Sequence, residues 1–371
     1  MWIPWEADMR IELGPIRRVM GGKPDGAVYN FPSVERLSDG SFYICARRIR
    51  SLTDPKGVFE AVRLLPETGE IQPMPTPGDA ERRAHPERGF YTCHVTETSP
   101  GHLIAVYTSI DCDESRPLFS PEDDGMQDVV CRIARSADNG LTWSEPEPLD
   151  YEIPDILIPS RIQRLPDGTL GFPAEVQHRY GRPYVEPVRG RFVYSVDGGR
   201  TFDRAALIPH PEHFLAGDAR CTFDGRGNMI VFYWGFDLAA MRDLAVYRSQ
   251  TSDCGRSFEP VAPTGLKKQI TSPMWIDDNV FLCMYQERFS ARPGIRAALS
   301  TDGGWHFDES NSVEIFGSAG SPDTENPFSG FSQYTFGYST LTRISPTSAL
   351  AAFWCREGDR FSICTRTLRV L

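Results

Sequence analysis

A chain of 371 residues, 40% hydrophobic and 24% charged, is long enough to bury a large core and has the composition of a soluble globular protein. Its formal net charge of −11 excludes nucleic acid or an anionic membrane as the main partner, because phosphate binding needs a basic face. The N-terminus shows no signal-peptide pattern and no apolar run reaches the length of a transmembrane helix. The nine cysteines are irregularly spaced without a CxxC pair, so free thiols and a cytoplasmic location are expected.

Glycine (32) and proline (30) are frequent enough to predict short strands joined by many turns. Residues 9–18 form a strand-like run without an obvious neighbour. A four-stranded unit starts near Tyr29; its first two strands meet at Leu37-Ser38-Asp39-Gly40 and its last two at a degenerate turn, 66–70. A second unit starts near Phe90 and carries Ser136-Ala137-Asp138-Asn139-Gly140-Leu141-Thr142-Trp143. Later units start near Ile158, Asp218 and Thr271, with short turns at 165–168, 223–225 and 276–279. They carry Ser195-Val196-Asp197-Gly198-Gly199-Arg200-Thr201-Phe202, Thr251-Ser252-Asp253-Cys254-Gly255-Arg256-Ser257-Phe258 and Ser300-Thr301-Asp302-Gly303-Gly304-Trp305-His306-Phe307. The last unit starts near Phe336 and has three strands, 338–343, 349–355 and 361–369.

The motif repeated four times is a tight hairpin. Its aspartate can accept backbone N–H groups of its own turn, its glycine supplies a positive φ, and its aromatic packs on the sheet. Six units at blade-like spacing predict an all-β, six-bladed β-propeller of four-stranded antiparallel blades, in one domain spanning 1–371. The last unit lacks a fourth strand, so residues 9–18 are expected to supply it and close the ring.

The repeated motif resembles the Asp-box (BNR repeat) of the sialidase, or neuraminidase, superfamily, and the resemblance covers nearly the whole chain. Residues 31–40 are similar to that family's first-blade Arg-Ile-Pro segment, and Gly337-Tyr338-Ser339-Thr340-Leu341-Thr342 to its nucleophile segment. The resemblance implies that Tyr338 is a nucleophile, Asp54 an acid/base and Asp218 the carboxylate that assists the phenol. It also implies that Arg242, with Arg288 or Arg292, holds a substrate carboxylate. Asn30 stands where the family has the first arginine of its carboxylate-binding triad. An amide has neither a charge nor a bidentate fork, so weak or no activity on ordinary sialosides is expected.

Strand parity locates the site independently. The short turns and the Asp-containing hairpins lie at one end of each blade. The loops between second and third strands, and those between blades, lie at the other, where sites usually sit. That end receives Asn30, Tyr91, Ser160, Arg161, Asp218, Arg220, Ser272 and Tyr338 from the first strands. Its loops bring Asp54; His178, Arg179, Tyr180, Arg182 and Tyr184; Asp237 and Arg242; Arg288 and Arg292; Arg356 and Glu357. Of these, Asn30, Arg161, His178, Arg242, Arg288, Arg292 and Arg356 are the candidate substrate ligands. The acidic stretch 111–128 has no EF-hand pattern and reads as solvated, so no metal or cofactor is expected.

The expected partner is a carbohydrate. The leading reading is a retaining exo-glycosidase acting on a terminal sugar or sugar acid, and a hydrogen-bonded Tyr338–carboxylate pair would mark it. A His–Tyr pair without such a carboxylate would mark a neutral-sugar hydrolase or a lyase-like enzyme on the same scaffold. A channel mouth of aromatics and amides alone would mark a non-catalytic carbohydrate-binding propeller.

Overall fold

The computed structural model describes residues 9–149, 151, 156–182, 190–211, 214–237, 239–240, 242–318, 320, 322–323 and 330–371; Tyr184 lies outside them. Six antiparallel sheets form a ring of blades. Blade one consists of Val28–Arg36, Phe42–Ile49, Val58–Leu64 and Ile71–Met74, and blade two of Gly89–Ser99, His102–Ile110, Val129–Ser136 and Glu147–Pro148. In blade three the inner strand is split into Ile156–Leu157 and Gln163–Arg164, followed by Leu170–Val176, Arg191–Ser195 and Arg204–Leu207. Pro159 lies in the gap, where a residue without an N–H cannot extend a ladder. Blade four runs through Phe214–Phe223, Met229–Asp237, Arg242–Thr251 and Ala262–Pro263; blade five through Gln269–Asp277, Val280–Glu287, Gly294–Ser300 and Val313–Gly317.

Blade six has Phe336–Ser345, Ser348–Glu357 and Arg360–Val370, and its outer strand comes from the N-terminus as expected. Ile11–Leu13 pairs antiparallel with it, Ile11 opposite Val370, and Arg17–Gly21 continues the pairing with Arg17 opposite Thr365. Residues near both ends of the chain thus share one sheet, which gives blade six the outer strand that its C-terminal segment lacks. A short helix, Asp79–Ala84, absent from the predicted elements, links blades one and two. It inserts Glu81 among Arg88, Tyr107, Ser109 and Arg132, which supply hydrogen bonds to this buried carboxylate.

The core lies between blades. Tyr43 and Cys45 of blade one, for instance, pack with Val95, Ala105 and Tyr107 of blade two, and comparable clusters fill the other junctions. The repeated hairpins stitch these junctions. In the hairpin at 195–202, Ser195 Oγ donates to Asp197 at 2.7 Å, the Gly199 N–H donates to Ser195 Oγ at 2.8 Å, and Thr201 gives Asp197 both its N–H (3.0 Å) and its hydroxyl (2.7 Å). Asp138, Asp253 and Asp302 repeat the pattern, with His306 Nδ1 replacing the hydroxyl on Asp302 at 2.6 Å. The second of the two left-handed positions is always glycine, and each such glycine abuts the preceding blade: Gly140 on Tyr43, Gly199 on Ile104, Gly255 on Phe192, Gly304 on Phe232.

At Gly255 φ is +80°, and a Cβ would meet the Phe192 ring at 2.5 Å. Gly255→Ala is therefore expected to destabilise the protein by about 1–3 kcal/mol. Chemical denaturation checks this; an unchanged midpoint would contradict the stitching role.

Candidate functional site

The inner strands share one irregularity. In blades one, two, four, five and six the register slips at the same depth, between Asn30 and Ser33, Phe90 and Cys93, Gly217 and Arg220, Gln269 and Ser272, and Gly337 and Thr340. A bulge leaves residues unpaired and re-aims a side chain. Here it presents Phe31, Tyr91, Asp218, Ile270 and Tyr338 to a cavity on the propeller axis. Four of the five have positive φ: Phe31 (50°), Asp218 (49°), Ile270 (37°) and Tyr338 (42°). Such backbone is unfavourable for non-glycine residues and is often found at functional sites.

The cavity, about 100 Å³, opens at the long-loop end that strand parity singles out. Its walls are largely aromatic. Phe31 meets Tyr91 and Tyr338 edge-on, at centroid distances of 4.7 and 4.9 Å, and Phe119, Trp234, Phe331, Tyr334 and Trp354 complete the lining. Two carboxyl groups enter it, Glu175 from the end of blade three's Leu170–Val176 strand and Asp218 from blade four's bulge. Glu175 Oε2 accepts the backbone N–H of Asp218 at 3.0 Å, so the two are tethered. Asp218 Oδ1 lies 3.4 Å from Arg220 Nη2. Arg288, buried, places its guanidinium carbon 3.9 Å from the Tyr334 ring centroid, at the cavity wall.

These surroundings treat the carboxyls differently. Removal from bulk water and then the neighbouring Asp218 charge push Glu175 up to about 8. Burial also raises Asp218, but Arg220 and Arg288 oppose it. Both carboxyls are thus raised by burial; Arg220 pulls each of them back down, and Arg288 acts on Asp218 in addition.

Tyr338 forms the floor, shared with a second, smaller cavity further along the axis that His94, Arg161 and Arg220 line. Its hydroxyl donates to the Pro159 carbonyl at 2.6 Å and lies 3.1 Å from His94 Nε2. That nitrogen is also 3.0 Å from the Ile158 carbonyl, which can only accept, so Nε2 carries the proton. Burial and the positive charges of Arg220 and Arg161 depress His94 to about 3, so the ring is neutral. Burial, first of all, raises the Tyr338 phenol above its ordinary range. Its hydroxyl thus meets a carbonyl and an imidazole rather than a carboxylate, and the Arg220 guanidinium carbon lies 4.6 Å from its ring centroid.

The other expected residues lie elsewhere. Asp54 is not in the cavity: its carboxylate accepts Arg50 Nε (2.7 Å) and the N–H groups of Arg50 (3.1 Å) and Lys56 (2.9 Å). Burial pulls this carboxyl upward, but the Arg50 guanidinium and the backbone bonds overcome it and bring it to about 2. The residue expected as acid/base is therefore engaged by Arg50 and lies apart from the cavity. Asn30 is fully buried opposite Arg47, one residue before the bulge, and does not line the cavity. Arg161 lies in the axial channel, 2.7 Å from Glu35. His178 packs 3.7 Å from Asp123. Arg242, Arg292 and Arg356 are exposed and outside the cavity; Arg292 reaches Glu314 at 3.7 Å and Arg356 the Gly358 carbonyl at 2.8 Å. Of the ten residues expected, the cavity assembles Asp218, Tyr338 and Arg288. Glu175, His94, Trp234 and Tyr334 were not anticipated. The one cue for Glu175 was a solitary acid at the loop end of an apolar strand. Among the described residues no group of three or more His, Cys, Asp or Glu side chains could hold a metal.

The fold and cavity define a six-bladed β-propeller with an aromatic, carboxylate-bearing pocket on its axis. Its structural neighbours are six-bladed propellers that include sialidases, trans-sialidases and an arabinanase. A Dyadobacter fermentans protein of unknown function superposes with a TM-score of 0.71 at 16% identity, over 96% of this chain and 99% of that one. The Penicillium chrysogenum α-L-arabinanase, solved with arabinobiose, gives 0.63 at 12% identity over 95% and 98%. The Trypanosoma rangeli sialidase, solved with sialic acid, gives 0.61 at 12% identity over 96% of this chain but 59% of that one. At these identities the likeness is one of fold. No protein-family model matches the chain, and no curated protein matches it.

The raised Glu175 carboxyl has a consequence for stability. Its folded-state value, about 8, lies above the ordinary glutamate value of about 4.3, so the native state binds the extra proton between those pH values. Stability is then fully present below the lower value and falls as pH rises toward the higher. Glu175→Gln keeps an acceptor for the Asp218 N–H but cannot ionise. It is expected to raise the melting temperature by about 2–4 °C at pH 9 and to change it little at pH 4.5. Thermal unfolding at both pH values checks this; an equal effect at the two would contradict it.

Proposed function

We propose that the chain is a glycoside hydrolase that removes a neutral terminal sugar, with Glu175 as proton donor and Asp218 as its partner carboxylate. The observation that carries this is the tethered pair itself: two carboxyls in one cavity, with the proton favoured on Glu175 and cations beside Asp218. Diverging environments of this kind separate an acid from a nucleophile. Glu175 gives its proton to the leaving oxygen as the glycosidic bond breaks, while Asp218 attacks the anomeric carbon from the opposite side. Glu175, now ionised, takes a proton from water. That water attacks the anomeric carbon and releases Asp218, so configuration is retained and both groups are restored.

A neutral substrate follows from the cations. Arg288 is the one candidate sugar-acid ligand from the second-to-third-strand loops that lines the cavity, and Asn30 contributes no charge. An acidic sugar would meet Asp218 with one guanidinium to hold it. The aromatic walls suit the C–H faces of a sugar ring, and the floor of Tyr338 and Pro159 suits a chain end. The fold likeness to an arabinanase solved with arabinobiose supports this reading. A second reading, a lyase, draws on the 3.1 Å contact between Tyr338 and His94, which places a phenol beside an imidazole. It is the weaker one, because the Tyr338 hydroxyl is already committed to the Pro159 carbonyl and the His94 proton to Ile158.

The test is a panel of aryl glycosides of arabinose, galactose, xylose, glucose and sialic acid. Neutral glycosides are expected to be cleaved and sialosides spared. Glu175→Gln and Asp218→Asn are expected to lower kcat by roughly 10²–10⁴-fold. Tyr338→Phe is expected to stay within about ten-fold of wild type, since it loses a hydrogen bond and not a reacting group. Efficient cleavage of sialosides, or inactivation by Tyr338→Phe with Asp218→Asn still active, would return the assignment to a tyrosine nucleophile. A polyuronate incubated alongside the panel covers the second reading: an unsaturated uronate product from it would establish the lyase instead.

A further inference from the structure

One cavity wall is tied together from behind. Trp234 and Arg288 both line the cavity, on blades four and five, and are both almost fully buried. The Trp234 indole Nε1–H donates to Asp243 Oδ1 at 2.8 Å. The other oxygen of Asp243 accepts Gln269 Nε2. The carbonyl oxygen of that same Gln269 side chain accepts the Arg288 backbone N–H at 3.3 Å. Gln269 immediately precedes Ile270, the bulge residue that faces the cavity from blade five. The chain of bonds therefore runs from Arg288 through Gln269 to Asp243 and is met there by Trp234.

We propose that Asp243 is a positioning residue that locks the Trp234 and Arg288 walls into one rigid face and so sets how tightly the cavity holds its sugar. Both neighbours present donors to Asp243. A carboxylate, which accepts at both oxygens, serves both; an amide would turn its NH₂ group toward one of them and break that bond. The locking stands on this geometry alone. Only its effect on sugar affinity rests on the hydrolase reading.

The experiment uses the full chain labelled with ¹⁵N-tryptophan. Trp234→Phe removes one indole resonance and thereby assigns it. In Asp243→Asn that resonance is expected to move upfield and its proton to exchange roughly ten-fold faster, as for the loss of one hydrogen bond. On the neutral glycoside that wild type cleaves best, KM is expected to rise roughly ten-fold while kcat changes less. Trp234→Phe, which keeps a ring and loses the N–H, is expected to raise KM too, and adding Asp243→Asn to it to cost less than in wild type. An unchanged Trp234 resonance in both Asp243→Asn and Asp243→Ala, the second of which removes both acceptors, overturns the locking. A changed resonance with unchanged KM, or an equal fall in kcat at constant KM, overturns the role in binding. If Asp243→Asn does not fold, an unchanged KM in Trp234→Phe is itself contrary. If wild type cleaves no glycoside, the hydrolase reading fails, and the indole resonance alone decides whether Asp243 holds the wall.

Discussion

Each inner strand must bring a side chain to the axis while its neighbours on both faces pack between blades. Regular pleating cannot do this at one depth all round a ring, and the β-bulge shared by five inner strands is the solution. It breaks the alternation at the point where the cavity begins. The conformations it imposes are unfavourable, most of all for Ile270, a β-branched residue with positive φ. They persist because packed blades on either side over-determine the backbone. Blade three reaches the same end differently. Pro159 interrupts its inner strand, and the carbonyls of Ile158 and Pro159 anchor His94 and Tyr338 across the axis.

The two ends of the propeller are correspondingly unlike. At one end the Ser/Thr-x-Asp-x-Gly hairpins saturate their own polar groups and set a glycine against the preceding blade, which leaves them little to offer a ligand. At the other end the bulges, the loops after second strands and the crossovers converge. There carboxyls, guanidinium groups and aromatic rings face a shared space. Rigidity at the first end permits strain at the second.

This division explains what could be read in advance. The blades were legible because each hairpin is a local object: the aspartate, the glycine and the groups they bond lie within eight residues. Ring closure was legible from a missing strand. Asp218, Tyr338 and Arg288 were found through strand parity, which depends only on counting strands. Glu175 was overlooked because its significance comes from Asp218 on another blade, whose N–H it accepts. Asp54 stands apart from the cavity for the converse reason: a local partner four residues away, Arg50, claims its carboxylate. Arg288 and Arg292 stand four positions apart in one segment, yet one is buried beside Tyr334 from a different part of the chain and the other is 78% exposed. Such differences are set by packing between blades and leave no trace in local sequence.

The account turns on which carboxyl of the pair holds the proton. Glutamate labelled with ¹³C at its side-chain carboxyl, with the Glu175 signal assigned by its loss in Glu175→Gln, reports that directly through a pH titration. The predicted result is a midpoint near 8, well above the other glutamates. A midpoint in the ordinary carboxylate range, about 4.3, would mean that Glu175 is ionised at neutrality and cannot donate a proton, and the assignment of this pair would be wrong.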